Sequence, residues 1–131
     1  MTLPLEKLQV YQISEEIADA IWDICSMWEK FTKDTVGKQL VRSADSIGAN
    51  IAEGYGRYSF KENVQFCYYA RGSYIETRHW LRRAQKRALL SDGQQLLLHN
   101  KLELFGPKLN SYINSIKSEL KKSSHRMTNN K

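Results

Sequence analysis

The chemistry this chain offers is concentrated in one basic segment. Arg78, Arg82 and Lys86 are spaced four apart, and His79, Arg83 and Arg87 repeat that spacing one position on. On an α-helix each row shares a face, and with Arg71 the two rows make a cationic ridge more than two turns long. Such a ridge can neutralise nucleic-acid phosphates without reading bases. Trp80, beside it, could stack on an unpaired base. The plainer reading is a solvated face, or one paired with an acidic surface. Charge is split to match either: residues 1–34 hold three Lys/Arg against seven Asp/Glu, −4, and residues 35–131 hold seventeen against seven, +10.

The other constellations are incomplete. Glu76-x-x-His79 has the i, i+3 spacing of di-iron bundle proteins. That chemistry needs a second such pair and two more carboxylates. His99 has Leu96 three positions before it and His125 lies in the tail, so neither a metal nor another cofactor is expected. Arg71 stands eight positions before His79, and no histidine has an Arg at the spacing used by helical ribonucleases. Triad catalysis needs a base oriented by a third group, and three scattered histidines do not point to one. Gly54-Tyr55-Gly56 is too short for a phosphate-binding loop. No catalytic residue is assigned and no enzyme is expected. Ser43, Ser46, Asn50 and Glu53 form a polar stripe that Ser73 and Glu76 answer at i, i+3 spacing. If buried, these groups must find partners, and they would hold two helices in register.

Four amphipathic segments have to position these groups. Val10, Ile13, Ile17, Ile21, Ile24, Trp28 and Phe31 advance in steps of three and four, placing helix 1 at about 5–30 with Glu15, Glu16, Asp19 and Asp23 opposite. Thr32-Lys33-Asp34-Thr35 is the expected break, with Asp34 or Thr35 as N-cap. Val36, Leu40, Ala44, Ile47 and Ile51 mark helix 2 at about 35–54, ended by Gly54 and Gly56, which accept left-handed backbone angles. Ser59 and Glu62 make a capping box for helix 3, about 59–89, with Phe60, Val64, Cys67, Tyr68, Tyr74, Ile75 and Leu81 among its apolar positions. Ser91 and Gln94 repeat the box for helix 4, about 91–122, striped by Leu98, Leu102, Phe105, Leu109, Tyr112, Ile116 and Leu120. Pro107 predicts a kink or short break near Phe105. Residues 123–131, without an apolar period, read as a disordered basic tail.

Short links between helices that each bury one stripe predict an all-α, antiparallel, up-down-up-down four-helix bundle over residues 1–122. A chain of 131 residues, 41% hydrophobic and 26% charged, fits one domain and excludes a disordered polymer. Its longest aliphatic runs are three residues, against the ~20 needed to cross a membrane. No membrane association is expected, and no secretory signal is visible. Cys25 and Cys67, without metal or redox spacing, read as reduced buried side chains, and the expected compartment is the cytoplasm. Trp22, Tyr58, Phe66, Tyr69 and Trp80 lie off the main stripes, which predicts a partner surface, most simply a second copy.

The run GKQLVRSADSIGANIAEGYGRYSFKENVQFCYYARGSYIETRHWLRRA resembles the four-helix-bundle proteins encoded by intervening sequences of 23S ribosomal RNA genes. That family shows a Q-L-x-R-x-x-x-S-I-x-x-N-I-x-E-G core, matched by Gln39, Leu40, Arg42, Ser46, Ile47, Asn50, Ile51, Glu53 and Gly54. A serine-started helix with A-x-G-S-x-x-E follows, matched by Ser59, Ala70, Gly72, Ser73 and Glu76. The resemblance spans about residues 5–120. It implies a ring-like homopentamer without enzymatic activity. It also implies kinship with the accessory variability determinant of diversity-generating retroelements, a basic bundle that binds nucleic acid and a reverse transcriptase. One departure is the short FTKDTVG between helices 1 and 2, where family members often carry a longer proline-bearing segment. The expected function is therefore a homo-oligomeric bundle that binds RNA or DNA without sequence preference through Arg71, Arg78, Arg82, Arg83, Lys86 and Arg87. The alternative is a protein-interaction bundle whose ridge pairs with acidic helix 1 of a neighbouring subunit.

Overall fold

The computed structural model describes residues 3–129, with side chains over 3–125. Four long helices carry the fold, and no strand occurs among the described residues. They are α1 (Gln9–Ser26), α2 (Lys38–Tyr55), α3 (Phe60–Lys86) and α4 (Asp92–Asn129). A 3₁₀ turn, Leu5–Lys7, precedes α1. α1 packs on α2 and α4, and α3 packs on the same two helices, so α1 and α3 sit across the bundle from each other.

The core follows the sequence periodicity closely in three helices. Val10, Ile13, Ile17, Ile21 and Ile24 of α1 are buried, as are Leu40, Ala44, Ile47 and Ile51 of α2, with Val36 just before it. On α4 the buried side is Leu98, Leu102, Phe105, Leu109, Ile113 and Ile116, with Tyr112 half-buried. On α3 the buried row is Val64, Cys67, Ala70, Tyr74, Thr77, Leu81 and Ala84, while Phe60, Tyr68 and Ile75 face outward. Val64, Cys67, Tyr74 and Leu81 stand where the apolar spacing put them, and the row is completed by Ala70, Thr77 and Ala84, too small or too polar for hydrophobicity alone to single out.

The first connection differs from the sequence reading. α1 stops at Ser26, and the chain turns at Met27–Glu29 rather than at Thr32–Thr35. Glu29, not Asp34 or Thr35, caps the next helical turn: its Oε1 accepts from the Thr32 backbone N–H at 3.0 Å and from the Thr32 hydroxyl at 2.8 Å. Lys30–Thr32 then runs through a π-helical turn, Lys33–Gly37, into α2. Because the turn comes early, Phe31 is 72% exposed instead of extending the α1 stripe.

The other ends are set by identifiable caps. The Ser59 hydroxyl accepts from the Glu62 N–H at 3.1 Å and opens α3. At α4 both halves of the capping box form: Gln94 N–H donates to Ser91 Oγ at 3.1 Å and Ser91 N–H to Gln94 Oε1 at 2.9 Å. α3 closes at Lys86, earlier than expected, because Ala88 adopts φ 58°. There the Leu89 N–H reaches the Ala84 carbonyl and the Ala88 N–H reaches that of Gln85, a Schellman closure.

α4 passes through Pro107 without a break. Next to it, Gly106 leaves room for Tyr74: a side chain there would begin 3.1 Å from the Tyr74 hydroxyl, which itself donates to the Leu102 carbonyl at 2.8 Å. α4 also continues through residues 123–129, part of the stretch read as a disordered tail, while 130–131 lie outside the described residues. Extending a formed helix adds one hydrogen bond per residue, so no apolar stripe is required, even through middling helix formers such as Ser123, Ser124 and His125.

Two predictions follow from local chemistry. Alanine pays about 1 kcal/mol for a left-handed backbone that glycine adopts freely, so Ala88→Gly should raise the melting temperature by roughly 4 °C; a lower value would contradict the closure. Cys25 and Cys67 are free and buried, and burial pushes each thiol from near 9 to about 11. Their neutral forms support the fold below pH about 9, and that support is lost as pH rises toward 11. Iodoacetamide at pH 8 should therefore label both cysteines slowly in native protein and quickly in urea.

Candidate nucleic-acid interface

The ridge lies on the outer side of α3, and the structure divides it into engaged and open cations. Arg71 donates to Asn110 Oδ1 at 2.6 Å and lies over the Tyr68 ring. Arg78 donates to the Tyr74 hydroxyl at 2.8 Å and to Glu103 Oε1 at 3.1 Å. The Tyr74 bond, then Glu103, holds the Arg78 guanidinium above its ordinary pKa. Arg82, Lys86 and Arg87 are exposed, Arg83 is half-buried, and none of the four has an ion pair among the described residues. The acidic side of α1 does not reach them. Glu16 instead meets Lys101 of α4 at 3.5 Å.

Trp80 is less available than its spacing suggested. It is half-buried against the core, its indole N–H donates to Glu76 Oε2 at 3.0 Å, and its ring meets His79 edge-on. Glu76 and His79 are thus not arranged as ligands, and no three of His, Cys, Asp and Glu could share a metal among the described residues. Of the other aromatics off the stripes, Trp22, Tyr58 and Tyr69 are exposed. Phe66 is half-buried beneath the Arg57 guanidinium, 4.8 Å from its ring centroid.

The polar stripe is built differently from the expected network. Ser46 donates to the Arg42 carbonyl and Asn50 to the Ser46 carbonyl, both within α2. Glu53 pairs with Arg57 at 2.6 Å, and Arg57 also approaches Glu62 of α3 at 3.9 Å. Ser73 contributes its carbonyl, which accepts from Thr77 at 2.8 Å. The side-chain bond between α2 and α3 joins Thr77 to Ser43 at 3.0 Å, with both residues buried and Ser43 also donating to the Leu40 carbonyl. The sequence signal for Thr77 was a polar residue at a buried α-helical step, hidden among the charged neighbours Glu76 and Arg78.

Gly54 acts through proximity rather than backbone freedom, since no glycine among the described residues has positive φ. A Cβ at Gly54 would sit 2.8 Å from both Asn63 Oδ1 and Phe66 Cβ. A Cβ at Gly56, two residues on, would meet only its own helix's carbonyls at 3.6 Å or more. Gly54→Ala should therefore cost about 1–3 kcal/mol of stability by forcing α2 from α3. Gly56→Ala should stay within about 0.5 kcal/mol of the parent. Equal urea midpoints for the two variants would refute the close approach.

A family model described as 23S rRNA-intervening sequence protein matches residues 6–111. A crystal structure of a protein with unknown function from the S23 ribosomal protein family of Bacteroides thetaiotaomicron is 26% identical, with a TM-score of 0.70. The match covers 79% of this chain and 97% of that one. No curated protein matches.

Proposed function

This chain belongs to the 23S rRNA-intervening sequence protein family, and from that premise we propose a non-enzymatic, homo-oligomeric bundle that binds RNA or DNA without sequence preference. The observation that carries it is the open cationic surface of Arg82, Arg83, Lys86 and Arg87. Four cations within two turns, with no ion pair among the described residues, keep the local potential positive and attract a polyanion. Arg78 joins them readily, because its bond to Glu103 is about half exposed on both sides and worth at most about 1 kcal/mol. A phosphate can replace that carboxylate at little cost.

The bundle is read as antiparallel, up-down-up-down. Pairs Gln9–Lys108 and Glu16–Lys101 run in opposite senses along α1 and α4, as do Arg71–Asn110 and Arg78–Glu103 along α3 and α4. Self-association, as a pentamer by the family resemblance, draws support from the large apolar side chains left outside. Trp22 is 59% exposed, Met27 84% and Phe31 72%, all around the turn that ends α1. No helix among the described residues is long and apolar enough to cross a membrane.

Arg82→Glu with Arg83→Glu should abolish binding to RNA and DNA in fluorescence anisotropy while the helical circular dichroism survives. The parent's affinity should fall steeply with salt. Unchanged binding by the double variant would overturn the ridge as the contact surface. A second reading, in which the ridge meets α1 of a neighbouring subunit, is favoured by Asp19 and Asp23, exposed on α1 without an ion pair among the described residues. Under that reading raised salt should split the oligomer in analytical ultracentrifugation; under the first it strips only nucleic acid.

A further inference from the structure

Beside the ridge, α3 and α4 diverge around a groove of about 490 Å³. That is the size of a pocket for one small ligand, within the usual range of about 300–1,000 Å³. The floor is apolar: Leu81, Leu98 and Leu102 are buried beneath it, and Ile75, 58% exposed, forms one side. The walls are polar. Arg78 and Arg82 stand on the α3 side and His99 on the α4 side, while Gln85 and Gln95 place amides between them. No carboxylate lines the groove; the nearest engaged one, Glu103, is held by Arg78.

We infer that this groove holds one splayed nucleotide of a single-stranded nucleic acid, its base on the leucine floor and its phosphate on Arg82 and Arg78. This rests on the nucleic-acid reading above and specifies where, and in what form, the strand is held. The charge pattern selects the occupant. An apolar peptide would cover Arg82 without giving it a partner, a costly arrangement, and a free inorganic anion would leave the leucine floor uncovered. A nucleotide satisfies both, because it joins a flat apolar face to an anion. The two glutamine amides can each donate to and accept from the edge of any base, which suits binding without sequence preference. Arg82 belongs to both the groove and the ridge. A strand that drops one base into the groove therefore lays its next phosphates toward Lys86, about 6 Å further along the helix. Duplex RNA or DNA has no free base to offer and engages only the ridge.

The groove separates from the ridge experimentally through Ile75, which is exposed, uncharged and outside the ridge. Ile75→Trp fills the groove and leaves every cation in place; His99→Glu sets a carboxylate on the far wall. Both should keep the helical circular dichroism of the parent. Short oligouridylate should bind the parent more tightly than an RNA duplex of equal length does. Each variant should lose about tenfold for the single strand, the worth of one base contact, while duplex affinity and its salt dependence stay at the parental level. Parental oligouridylate binding in both variants would overturn the groove and leave the ridge standing. Uridine monophosphate binding as tightly as oligouridylate would also overturn the assignment to a strand. The reverse separation is equally visible: duplex bound as well by the Arg82→Glu, Arg83→Glu protein as by the parent, with single-strand affinity still lost in Ile75→Trp, would sink the ridge and keep the groove.

Discussion

Everything outside this bundle is arranged by the need to bury four apolar stripes against one another. A helix covering Ile17 and Ile21 must lie against others covering Leu40, Ile47, Phe105 and Leu109. With four rods, each touches two neighbours and faces the third across the core. That geometry keeps the acidic side of α1 away from the basic side of α3. The two surfaces of opposite charge are on one chain, yet the core prevents them from neutralising each other. Of the acids of α1, Glu16 finds Lys101 on α4 instead, and the last turns of α3 keep their cations. The open positive surface is thus a consequence of packing and not only of composition.

Contact between α2 and α3 is the tightest feature of that packing. Gly54 lets Asn63 and Phe66 come against the α2 backbone, and Ser43 meets Thr77 further along. A glycine contact at one end and a buried hydroxyl pair nearer the other fix both separation and register. The hydroxyls add little net energy, since each exchanges water for a protein partner. Their effect is to penalise any sliding that would leave one of them buried alone. The fixed register matters for the surface because Thr77 immediately precedes Arg78. Anchoring one orients the other toward α4, where Tyr74 and Glu103 receive it.

Much of this was legible from residues alone. Steps of three and four among Val10 to Ile24 and Leu40 to Ile51 gave two helices and their buried sides, and Ser59 and Ser91 marked two starts. What stayed hidden depends on partners in space. Glu29 is a poor N-cap by type, and Trp28 and Phe31 keep the α1 period running past the real turn, so the pattern pointed four residues late. α2 does end at the glycines, at Tyr55 with Gly56 as C-cap, but the close approach at Gly54 is invisible until Asn63 of α3 folds back. α3 deceived most: Ala70, Thr77 and Ala84 face the core while Ile75 does not, because the close approach of α2 leaves room only for small side chains. The cations of the ridge were visible, but which of them are engaged was not, since Asn110 and Glu103 lie on another helix.

The same close packing explains why the chemistry gathers at the α3–α4 side. Where α2 meets α3, small residues bring the backbones together and no cleft remains. On the opposite side α3 meets α4 through large groups, the Tyr74 and Phe105 rings at 5.2 Å and the Arg78–Glu103 bridge. Large contacts hold helices further apart, and beyond Tyr74, toward the Leu90 turn, the space between them is the groove. The Tyr74 hydroxyl settles on the Leu102 carbonyl and in turn accepts from Arg78. A backbone carbonyl of α4 thereby fixes Tyr74 and, through it, the height of Arg78, and the basic surface is shaped by groups that carry no charge.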